Sequence, residues 1–508
     1  MLGQKLKMLL PVQVTTLNFF WKKVFIRISP TNLIEMNNWE ETYYNFDSSK
    51  IMQALSQIKG VVVGFNVNID KIIEITPKVL SQILFKSKYQ IEFHKERDSA
   101  TIDSVEDFFF FLLQSIKEGK ADEKLLFTRD IHLWIENMFS VKHTKIGGQA
   151  GIMANLLKRI GVNQVLLSLP IFDKSLLKLL NPSIQVIAEE DETFIIKPVR
   201  ELNGNETNTV IHYVFEFKEG FYSINDEVIE CRRSNRFIVS YDLINSKLEI
   251  RKGFYEYSRD NILNYSLAIL SGFHLINPNL EPTKTYFDMI EPVSKLITEW
   301  KLSNPDIIIH FEVASTKDIQ LVHIIIDELI PSVDSIGLNE QELLDFLAII
   351  DPSTHLLLKD DMSAVNLFKG LLSLLRRYPR LRIHLHYLGF YLLLSSPITK
   401  QQVQTRKESL IYASLNAARK AETGEMEFEN ILSDFTYKVS NEGMEQLISL
   451  EKHLNKEFKE ESDFSRSGYF NTSSFTLVGI PTIVIKKPKY LVGLGDTISS
   501  ISILFDNL

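Results

Sequence analysis

Short apolar runs alternate with helical patterns along most of the chain, and this alternation limits the possible folds more than any other feature. The runs are rich in β-branched residues, and clear examples lie at residues 60–63, 165–169, 267–270 and 307–309. Helical patterns lie between them, for example at 149–160 and 283–300. Apolar strands joined by helices are typical of a parallel sheet with helices on both faces. The sequence therefore predicts a doubly wound α/β core.

Two stretches of the chain depart from this pattern. Residues 71–145 contain charged helices, one of which carries the run Phe108 to Phe111, and residues 185–255 alternate apolar and polar residues as antiparallel strands do. A chain of 508 residues is also long for one domain. We expect the two stretches to form a smaller, discontinuous α+β lid domain. The large α/β domain is then built from residues 36–70, 146–184 and 256–508, and residues 1–35 form an extension.

The composition argues against some classes of partner. The formal net charge of −8 argues against general nucleic-acid binding and against binding to anionic membranes, since both need a basic surface. No apolar run in residues 1–35 approaches the roughly 20 residues that cross a bilayer, so we expect no stable membrane insertion. The single cysteine, Cys231, cannot form an intramolecular disulfide. These features favour a cytoplasmic protein.

Near its end the chain carries the motif Gly493-Leu494-Gly495-Asp496. The glycines permit a tight turn and a close approach of ligand to backbone, and Ile498 and Ile501 follow at roughly helical spacing. We therefore expect Asp496 at a helix start, where N–H groups suit a phosphate oxygen and the carboxylate suits a general base. The pattern predicts phosphoryl transfer to an alcohol. A tight turn with a helix N-cap is the structural alternative.

Polar residues follow several of the predicted strands, where ligands of open α/β sheets bind. Asn66, Asn68 and Asp70 alternate after the first strand, and their amide and carboxylate groups match the hydroxyls of a polyol. Glu312 and Glu342 each follow a later strand and offer the hard oxygen ligands that magnesium prefers. A capping box at Asn339-x-x-Glu342 is the structural alternative, and the two roles are compatible.

Five sequence blocks follow one another along the chain: Gly64 to Asp70, Gly147 to Asn155, His310 to Glu312, Gly337 to Glu342 and Val492 to Ser499. This series resembles the ADP-dependent sugar kinases, the glucokinase and phosphofructokinase group of the ribokinase-like superfamily. The resemblance covers about residues 37–508. It implies a ribokinase-like core, a lid that closes over the sugar, ADP as phosphoryl donor and Mg²⁺ as cofactor. The chain has no P-loop motif, which agrees with phosphate binding by a helix N-terminus.

The resemblance also implies roles for individual residues. Asp496 is the general base, and the N–H groups of Gly493, Gly495 and Asp496 form the anion hole. The sugar contacts are Asn66, Asn68, Asp70, Glu123, Gly148, Gln149 and His212. Asn339 and Gly495 contact the nucleotide, and the residues that organise the metal are Glu312, Glu342 and Asp496. From the residues themselves, Arg236 is a candidate phosphate contact on the nucleotide, and of His384 and His386, which alternate on one strand, we expect His386 to line the nucleotide pocket.

Glu123 bears on the choice of sugar. In the resembled family, glucose-using members carry a glutamate at this position, whereas members that use fructose 6-phosphate tend to have a small residue. Asp122 is adjacent and also acidic, so the alignment with the family leaves open whether Asp122 or Glu123 occupies this position. We expect an ADP-dependent glucokinase that converts D-glucose and MgADP into glucose 6-phosphate and AMP.

Two alternatives to a glucokinase stay open. One is an ADP-dependent 6-phosphofructokinase, or an enzyme that uses both sugars. The other belongs to a different class, a catalytically inactive protein that binds sugar or nucleotide, and the intact Asp496 and both glutamate motifs count against it. The expected partners are small molecules, and the sequence leaves monomer or dimer open.

Overall fold

The computed structural model describes residues 38–506 with the exception of 88–100, 127, 206–208, 225–226, 282, 425–437, 487 and 491. The predicted extension at residues 1–35 lies outside the described residues. The strands, in chain order, are β1 (Val61–Gly64), β2 (Asn68–Ile75), β3 (Thr101–Ile102), β4 (Asp122–Leu126), β5 (His143–Gly147), β6 (Val165–Leu167), β7 (Gln185–Glu190), β8 (Thr193–Pro198), β9 (Ile211–Phe217), β10 (Gly220–Ile224), β11 (Glu227–Cys231), β12 (Asn235–Ser240), β13 (Leu267–Leu270), β14 (Ile308–Glu312), β15 (Ser335–Leu338), β16 (Arg382–Tyr387), β17 (Phe390–Ser395), β18 (Tyr469–Asn471) and β19 (Thr476–Pro481).

The α-helices lie between and around these strands. Their bounds are Asn38–Tyr44, Ser48–Leu55, Pro77–Ser87, Val105–Glu118, Arg129–Met138, Gln149–Arg159, Lys174–Leu177, Lys252–Asn261, Tyr286–Ser303, Ile319–Ile324, Glu340–Ile350, Pro352–Asp360, Ala364–Arg377, Lys400–Thr423, Asn441–Phe458, Phe464–Ser467 and Leu494–Ile503. Among the described residues, no helix combines the length and the apolar character that spanning a membrane requires.

An eleven-stranded sheet forms the centre of the large domain, in the order β18-β19-β17-β16-β15-β14-β13-β1-β6-β7-β8. The strands from β16 to β7 in this order are parallel. Antiparallel strands flank them on both edges. The four apolar runs named from the sequence correspond to β1, β6, β13 and β14, which lie side by side in the sheet.

Alternate residues of the parallel strands enter two hydrophobic cores, one on each face of the sheet. On β1, Val62 packs into one core, while Val61 and Val63 pack into the other. Burial on both faces explains why these strands are apolar throughout. Helices cover both faces, among them Tyr286–Ser303 and Ala364–Arg377 on one and Gln149–Arg159 and Lys400–Thr423 on the other. The predicted doubly wound α/β core is confirmed.

A mixed six-stranded sheet forms the centre of a smaller domain, in the order β3-β4-β12-β9-β2-β5. One face carries a third core, rich in aromatic side chains, which includes Phe108 and Phe109 of the helix Val105–Glu118. On β9, Tyr213, Phe215 and Phe217 are buried in this core. Because side chains alternate along a strand, His212 and Glu216 lie on the opposite, polar face. Glu123 on β4 and Arg236 on β12 share that polar face.

The division of the chain between the two sheets differs from the predicted boundaries. The sequence pattern predicts all of residues 185–255 as lid, but β7 and β8 pair at the edge of the large sheet. An edge hairpin with one solvated face produces the same alternation as a lid strand, so the pattern alone does not separate them. Residues 68–70 on β2 and 146–147 on β5 belong to the small sheet, although the predicted boundaries place them in the large domain.

Candidate active site

Asp496 lies in the first turn of the helix Leu494–Ile503. Gly493 caps this helix with a φ of 68°, a left-handed conformation that favours glycine. The first N–H groups of a helix have no acceptor within the helix, so this turn can bind an anion. Burial, together with the nearby Glu312 carboxylate, raises the pKa of Asp496 above its ordinary value. A raised pKa of this kind suits a general base that works near neutral pH.

The site residues lie between the ends of the strands of the large sheet and the polar face of the small sheet, and this space is called the crevice below. Gln149 connects the Asp496 turn to Gly272, which follows β13 of the large sheet. It begins the helix Gln149–Arg159, and its Oε1 accepts a hydrogen bond from the Gly272 N–H at 2.9 Å. Its side chain also bonds to Asp496, which offsets part of the effect of burial on the pKa of that carboxyl group. Gly148 has a φ of 73°, and a Cβ there would lie 2.4 Å from the Asn66 carbonyl oxygen. The structure therefore requires glycine at position 148.

Asn66, Asn68 and Asp70 lie together at the start of β2, but their geometry differs from the predicted alternation. Asn68 and Asp70 alternate on the strand, whereas Asn66 precedes it with a left-handed φ of 69°. Asn68 Nδ2 donates to Asp70 Oδ1 at 2.7 Å, and burial raises the pKa of Asp70 to about 6. The Oδ1 atoms of Asn66 and Asn68 are buried without a hydrogen-bond partner among the described residues. Such atoms call for a donor, which a ligand hydroxyl can supply.

Glu123 and two histidines surround one part of the crevice. Glu123 Oε1 lies 3.9 Å from His212 Nδ1, and Glu123 Oε2 lies 3.7 Å from His274 Nε2. His212 belongs to the small sheet, whereas His274 follows β13 of the large sheet. Both distances exceed those of a direct hydrogen bond. A ligand hydroxyl between these groups could bond to Glu123 and to a histidine at once.

Asp122 lies with a different set of charges from its neighbour. Its carboxylate is 3.9 Å from Lys124 Nζ and 3.4 Å from Lys317 Nζ. Lys124 in turn lies over the Phe111 ring, on the core side of the small sheet. Of the two adjacent acids, the structure therefore places Glu123 beside His212 and His274.

Asp242 fixes the orientation of His212. His212 Nε2 lies 2.9 Å from Asp242 Oδ2, and the same oxygen accepts a bond from Asn245 Nδ2 at 2.7 Å. Burial opposes the charge on His212, but Asp242 outweighs burial and raises the pKa of the histidine. Because Asp242 occupies Nε2, it is Nδ1 of His212 that faces Glu123. Asp242 is 30 residues from His212 in the chain and belongs to no motif, so the sequence pattern does not single it out.

Arg236 projects from β12 into the same crevice, on the side of the small sheet. Burial lowers the pKa of Arg236, and the charges that oppose this most strongly are those of Glu123 and Asp496. Its Nε atom is buried without a partner among the described residues. The arginine is therefore near enough to Glu123 and Asp496 to interact with their charges, and its unpartnered Nε can donate to an anionic group.

A second cluster lies near Asp496 and contains Glu312 and His386. His386 Nε2 lies 3.2 Å from Glu312 Oε1, and this contact raises the pKa of His386 to about 9 in spite of burial. Burial also opposes ionisation of Glu312, but His310 and His386 outweigh it and hold the pKa of Glu312 below its ordinary value. Gly495 adjoins both residues, since a Cβ there would lie 3.2 Å from the His386 ring. A charged pair thus lies beside the anion-binding turn.

Glu342 and Asn339 form the capping box at the start of the helix Glu340–Ile350. Asn339 Oδ1 accepts from the Glu342 N–H at 3.0 Å, and Glu342 Oε2 accepts from the Asn339 N–H at 2.8 Å. Glu342 Oε1 accepts from Ser315 Oγ at 3.1 Å. Burial raises the pKa of Glu342 to about 8. Glu342 therefore has the capping role. Its carboxyl group also lies close enough to Glu312 and His386 for their charges to affect its pKa.

The acidic pair Glu312 and Glu342 can be tested for its fit to Mg²⁺. Among the described residues, no group of three or more His, Cys, Asp or Glu side chains is arranged to hold a metal ion. Magnesium, however, keeps most of its waters and usually takes only one or two carboxylates together with substrate phosphates. Glu312 Oε2 is buried without a hydrogen-bond partner in the described part of the chain. The unpartnered Glu312 Oε2, with the Glu342 carboxyl group nearby, fits a hydrated magnesium ion.

The predicted site residues thus fall into two groups that meet at Asp496. The first, called the sugar-side group after the role that the sequence predicts for most of its members, is Asn66, Asn68, Asp70, Glu123, Gly148, Gln149, His212 and Arg236, the last of which the sequence predicts as a nucleotide contact. The second, called the acidic group, is Glu312, Glu342, Asn339 and His386. Asp496 forms a hydrogen bond with Gln149 of the first group and interacts electrostatically with Glu312 and His386 of the second. The sequence missed Asp242, His274 and Lys420, which carry no recognisable motif.

Comparison with known proteins gives the same family from sequence and from structure. Residues 59–505 match the conserved region of the ADP-specific phosphofructokinase/glucokinase family. The chain is 31% identical to the ADP-dependent glucose/glucosamine kinase of Pyrococcus furiosus, over 92% of this chain and 98% of that protein. It is 28% identical to the ADP-specific phosphofructokinase of Methanosarcina acetivorans, over 92% and 96%.

A solved structure supports the match. The complex of an ADP-dependent kinase with fructose-6-phosphate and ADPβS superimposes with a TM-score of 0.81 at 29% identity, and the match covers 93% of this chain and 98% of that one. The agreement extends over nearly the whole of each chain, so it includes both the large and the small sheet. The chain belongs to the ADP-specific phosphofructokinase/glucokinase family.

Proposed function

We propose that the protein transfers the β-phosphoryl group of ADP to D-glucose, giving glucose 6-phosphate and AMP. The observation that carries the choice of glucose is the Glu123 carboxylate, which faces His212 of the sugar-side group and His274 of the large domain. A neutral polyol can donate hydroxyl hydrogens to Glu123 and to the orphaned oxygens of Asn66 and Asn68. The name of the Pyrococcus furiosus relative, a glucose/glucosamine kinase, agrees with this choice.

Fructose 6-phosphate is the second candidate, and one observation favours it. The Arg236 guanidinium lies in the crevice with an unpartnered Nε in the described structure, and such a group suits a sugar phosphate. Against it stand the carboxylates of Glu123 and Asp70, which would repel a second phosphate. Several relatives are phosphofructokinases, including that of Methanosarcina acetivorans.

The proposed step is an in-line displacement at the β-phosphorus of ADP. Asp496 takes the proton of the sugar's primary hydroxyl as that oxygen bonds to phosphorus. The bond from the β-phosphorus to the bridging oxygen breaks, and AMP leaves with both electrons of that bond. The N–H groups of the Gly493–Asp496 turn stabilise the negative charge that builds on the transferring group. Glu312 and Glu342 would hold Mg²⁺, which when bound neutralises charge on the phosphates.

Product analysis tests this proposal. With ADP and glucose as the only substrates, phosphorus NMR should show glucose 6-phosphate and AMP appearing in equal amounts. Turnover of fructose 6-phosphate but not glucose would favour the second candidate. Binding of sugar or nucleotide without release of AMP would indicate an inactive binding protein and contradict both.

The two glutamates of the acidic group give a prediction about magnesium. Glu312→Gln and Glu342→Gln should each raise the Mg²⁺ concentration needed for half-maximal activity, because the first removes a carboxylate and the second removes a carboxyl group that can ionise when a cation binds. Activity measured over a series of Mg²⁺ concentrations checks this. Asp351→Asn is a matched control, since Asp351 caps the helix Pro352–Asp360 away from the crevice. If Glu342→Gln lowers thermal stability as Asp351→Asn does but leaves the magnesium requirement unchanged, Glu342 acts only as a cap.

Closure of the small sheet over the sugar gives a second prediction. Glu123 and His274 face each other across the two domains at 3.7 Å, so a sugar bound there would join them. Saturating glucose and ADP should therefore slow amide hydrogen exchange in β9 and β12. Strands β7 and β8 belong to the large sheet and serve as an internal control, because their exchange should change much less. Equal exchange in β9 with and without ligands would contradict the closing lid.

A further inference from the structure

Lys420 lies buried under the turn that carries the proposed base. It projects from the helix Lys400–Thr423, and the residue is 8% exposed. Its Nζ donates to the Gly493 carbonyl oxygen at 2.6 Å and to Thr497 Oγ1 at 3.0 Å. Both acceptors are uncharged oxygens of the helix Leu494–Ile503 and its cap. The ammonium group therefore packs against this turn, close enough to Asp496 for the two charges to interact.

The Gly493 carbonyl oxygen is held by several donors at once. Besides Lys420, Thr497 donates to it through its hydroxyl at 2.8 Å and through its N–H at 3.2 Å. A Cβ at Gly493 would lie 2.7 Å from Lys420 Nζ, so the lysine also explains the glycine at this position. With its carbonyl oxygen fixed in this way, the peptide plane that presents the next N–H group to a ligand is fixed too.

The position of this charge is unfavourable unless an anion is nearby. A helix N-terminus carries a partial positive charge, so a cation beside it is destabilising, and burial adds a desolvation cost. Burial lowers the pKa of Lys420 to about 8, and the Asp496 carboxylate is the charge that opposes this most strongly. A transferring phosphoryl group at the turn would supply further negative charge in the same place. A fixed positive group beside developing charge stabilises a transition state.

We infer that Lys420 is a positioning residue for phosphoryl transfer: it holds the Gly493–Asp496 turn in its anion-binding shape and places a positive charge beside the transferring group. This inference rests on the proposed phosphoryl transfer but not on the identity of the sugar. It predicts an effect on kcat rather than on the binding of glucose, because Lys420 reaches the reaction through the turn.

The test compares three variants with the wild type. Lys420→Met keeps the length and apolar stem of the side chain but removes the charge and both donors. It should lower kcat by about 10²–10³, the range for loss of a donor at an oxyanion site, and change the KM for the sugar little. Lys407→Met is the matched control, since Lys407 lies on the same helix and donates to the Ser467 carbonyl away from the crevice. Lys420→Ala should regain activity when propylammonium is added but not with propanol.

Every possible outcome of this test either supports or overturns the positioning role of Lys420. Rescue by the cation with an unchanged melting temperature supports it, because a merely structural loss would not respond to an amine. Wild-type kcat in Lys420→Met, or equal rescue by propanol and propylammonium, would overturn it. Wild-type inactivity with both glucose and fructose 6-phosphate would contradict the proposed phosphoryl transfer itself, and the inference with it. An active wild type with an unaffected Lys420→Met enzyme contradicts the inference alone.

Discussion

Replacing Asp496 with asparagine should lower kcat by about 10²–10⁴, the usual range for loss of a general base. The KM for ADP should change little, because the base acts on the sugar hydroxyl and mainly in the transition state. The structure supports this choice of residue through position, since Asp496 bonds to Gln149 of the sugar-side group and lies near Glu312 of the acidic group. Steady-state kinetics of the purified variant checks the prediction.

The pH dependence of the wild type provides a second readout for Asp496. Burial and Glu312 raise the pKa of this carboxyl group, and only its ionised form can accept a proton. The rate should therefore rise with pH along an acid limb that lies above the ordinary range of an aspartate, and this limb should be lost in Asp496→Asn. Activity of the variant within about tenfold of the wild type would remove Asp496 from the mechanism.

Glu123→Ala should change the choice of sugar. A charge-assisted hydrogen bond contributes about 1.5–3 kcal/mol, and about 1.4 kcal/mol is a tenfold change in affinity. Loss of the Glu123 contact should therefore lower kcat/KM for glucose by about one to two orders of magnitude. Use of fructose 6-phosphate should stay unchanged or improve, because the variant no longer repels its phosphate. The measurement is the ratio of the two kcat/KM values with ADP as donor.

Asp122→Ala is the matched control for this experiment. Asp122 is adjacent in sequence and has the opposite orientation on β4, toward Lys124 and Lys317. Its loss should leave the ratio near the wild-type value. Equal effects of Glu123→Ala on both sugars, or a larger effect of Asp122→Ala on glucose, would show that Glu123 does not select the sugar.

The sequence predicts the centre of this fold better than its edges. Strands β1, β6, β13 and β14 are buried on both faces, and this burial leaves the apolar runs that the sequence shows. Strands β7 and β8 are half-covered and alternate like strands of the small sheet, so their sheet could not be assigned from periodicity. Which sheet a strand joins depends on long-range pairing that a local pattern does not contain.

For the candidate site, the sequence identifies residues that carry their own motif. The turn at Gly493–Asp496 and the pair Asn339 and Glu342 are local patterns, and both have the expected local structure. The left-handed Asn66 was not foreseen, because Gly148 and Gly272 from distant parts of the chain create the space for it. Asp242 and Lys420 act on the site through single long-range contacts, which leave no trace in spacing or composition.

The central claim is that the protein uses ADP to phosphorylate glucose, and one crossed assay tests it most directly. The purified wild type is assayed with ADP or ATP as donor and with glucose or fructose 6-phosphate as acceptor, at a fixed excess of Mg²⁺. We expect ADP with glucose to give the highest kcat/KM of the four combinations. A higher value for fructose 6-phosphate would contradict the assignment of the sugar, and a higher value for ATP would contradict the assignment of the donor.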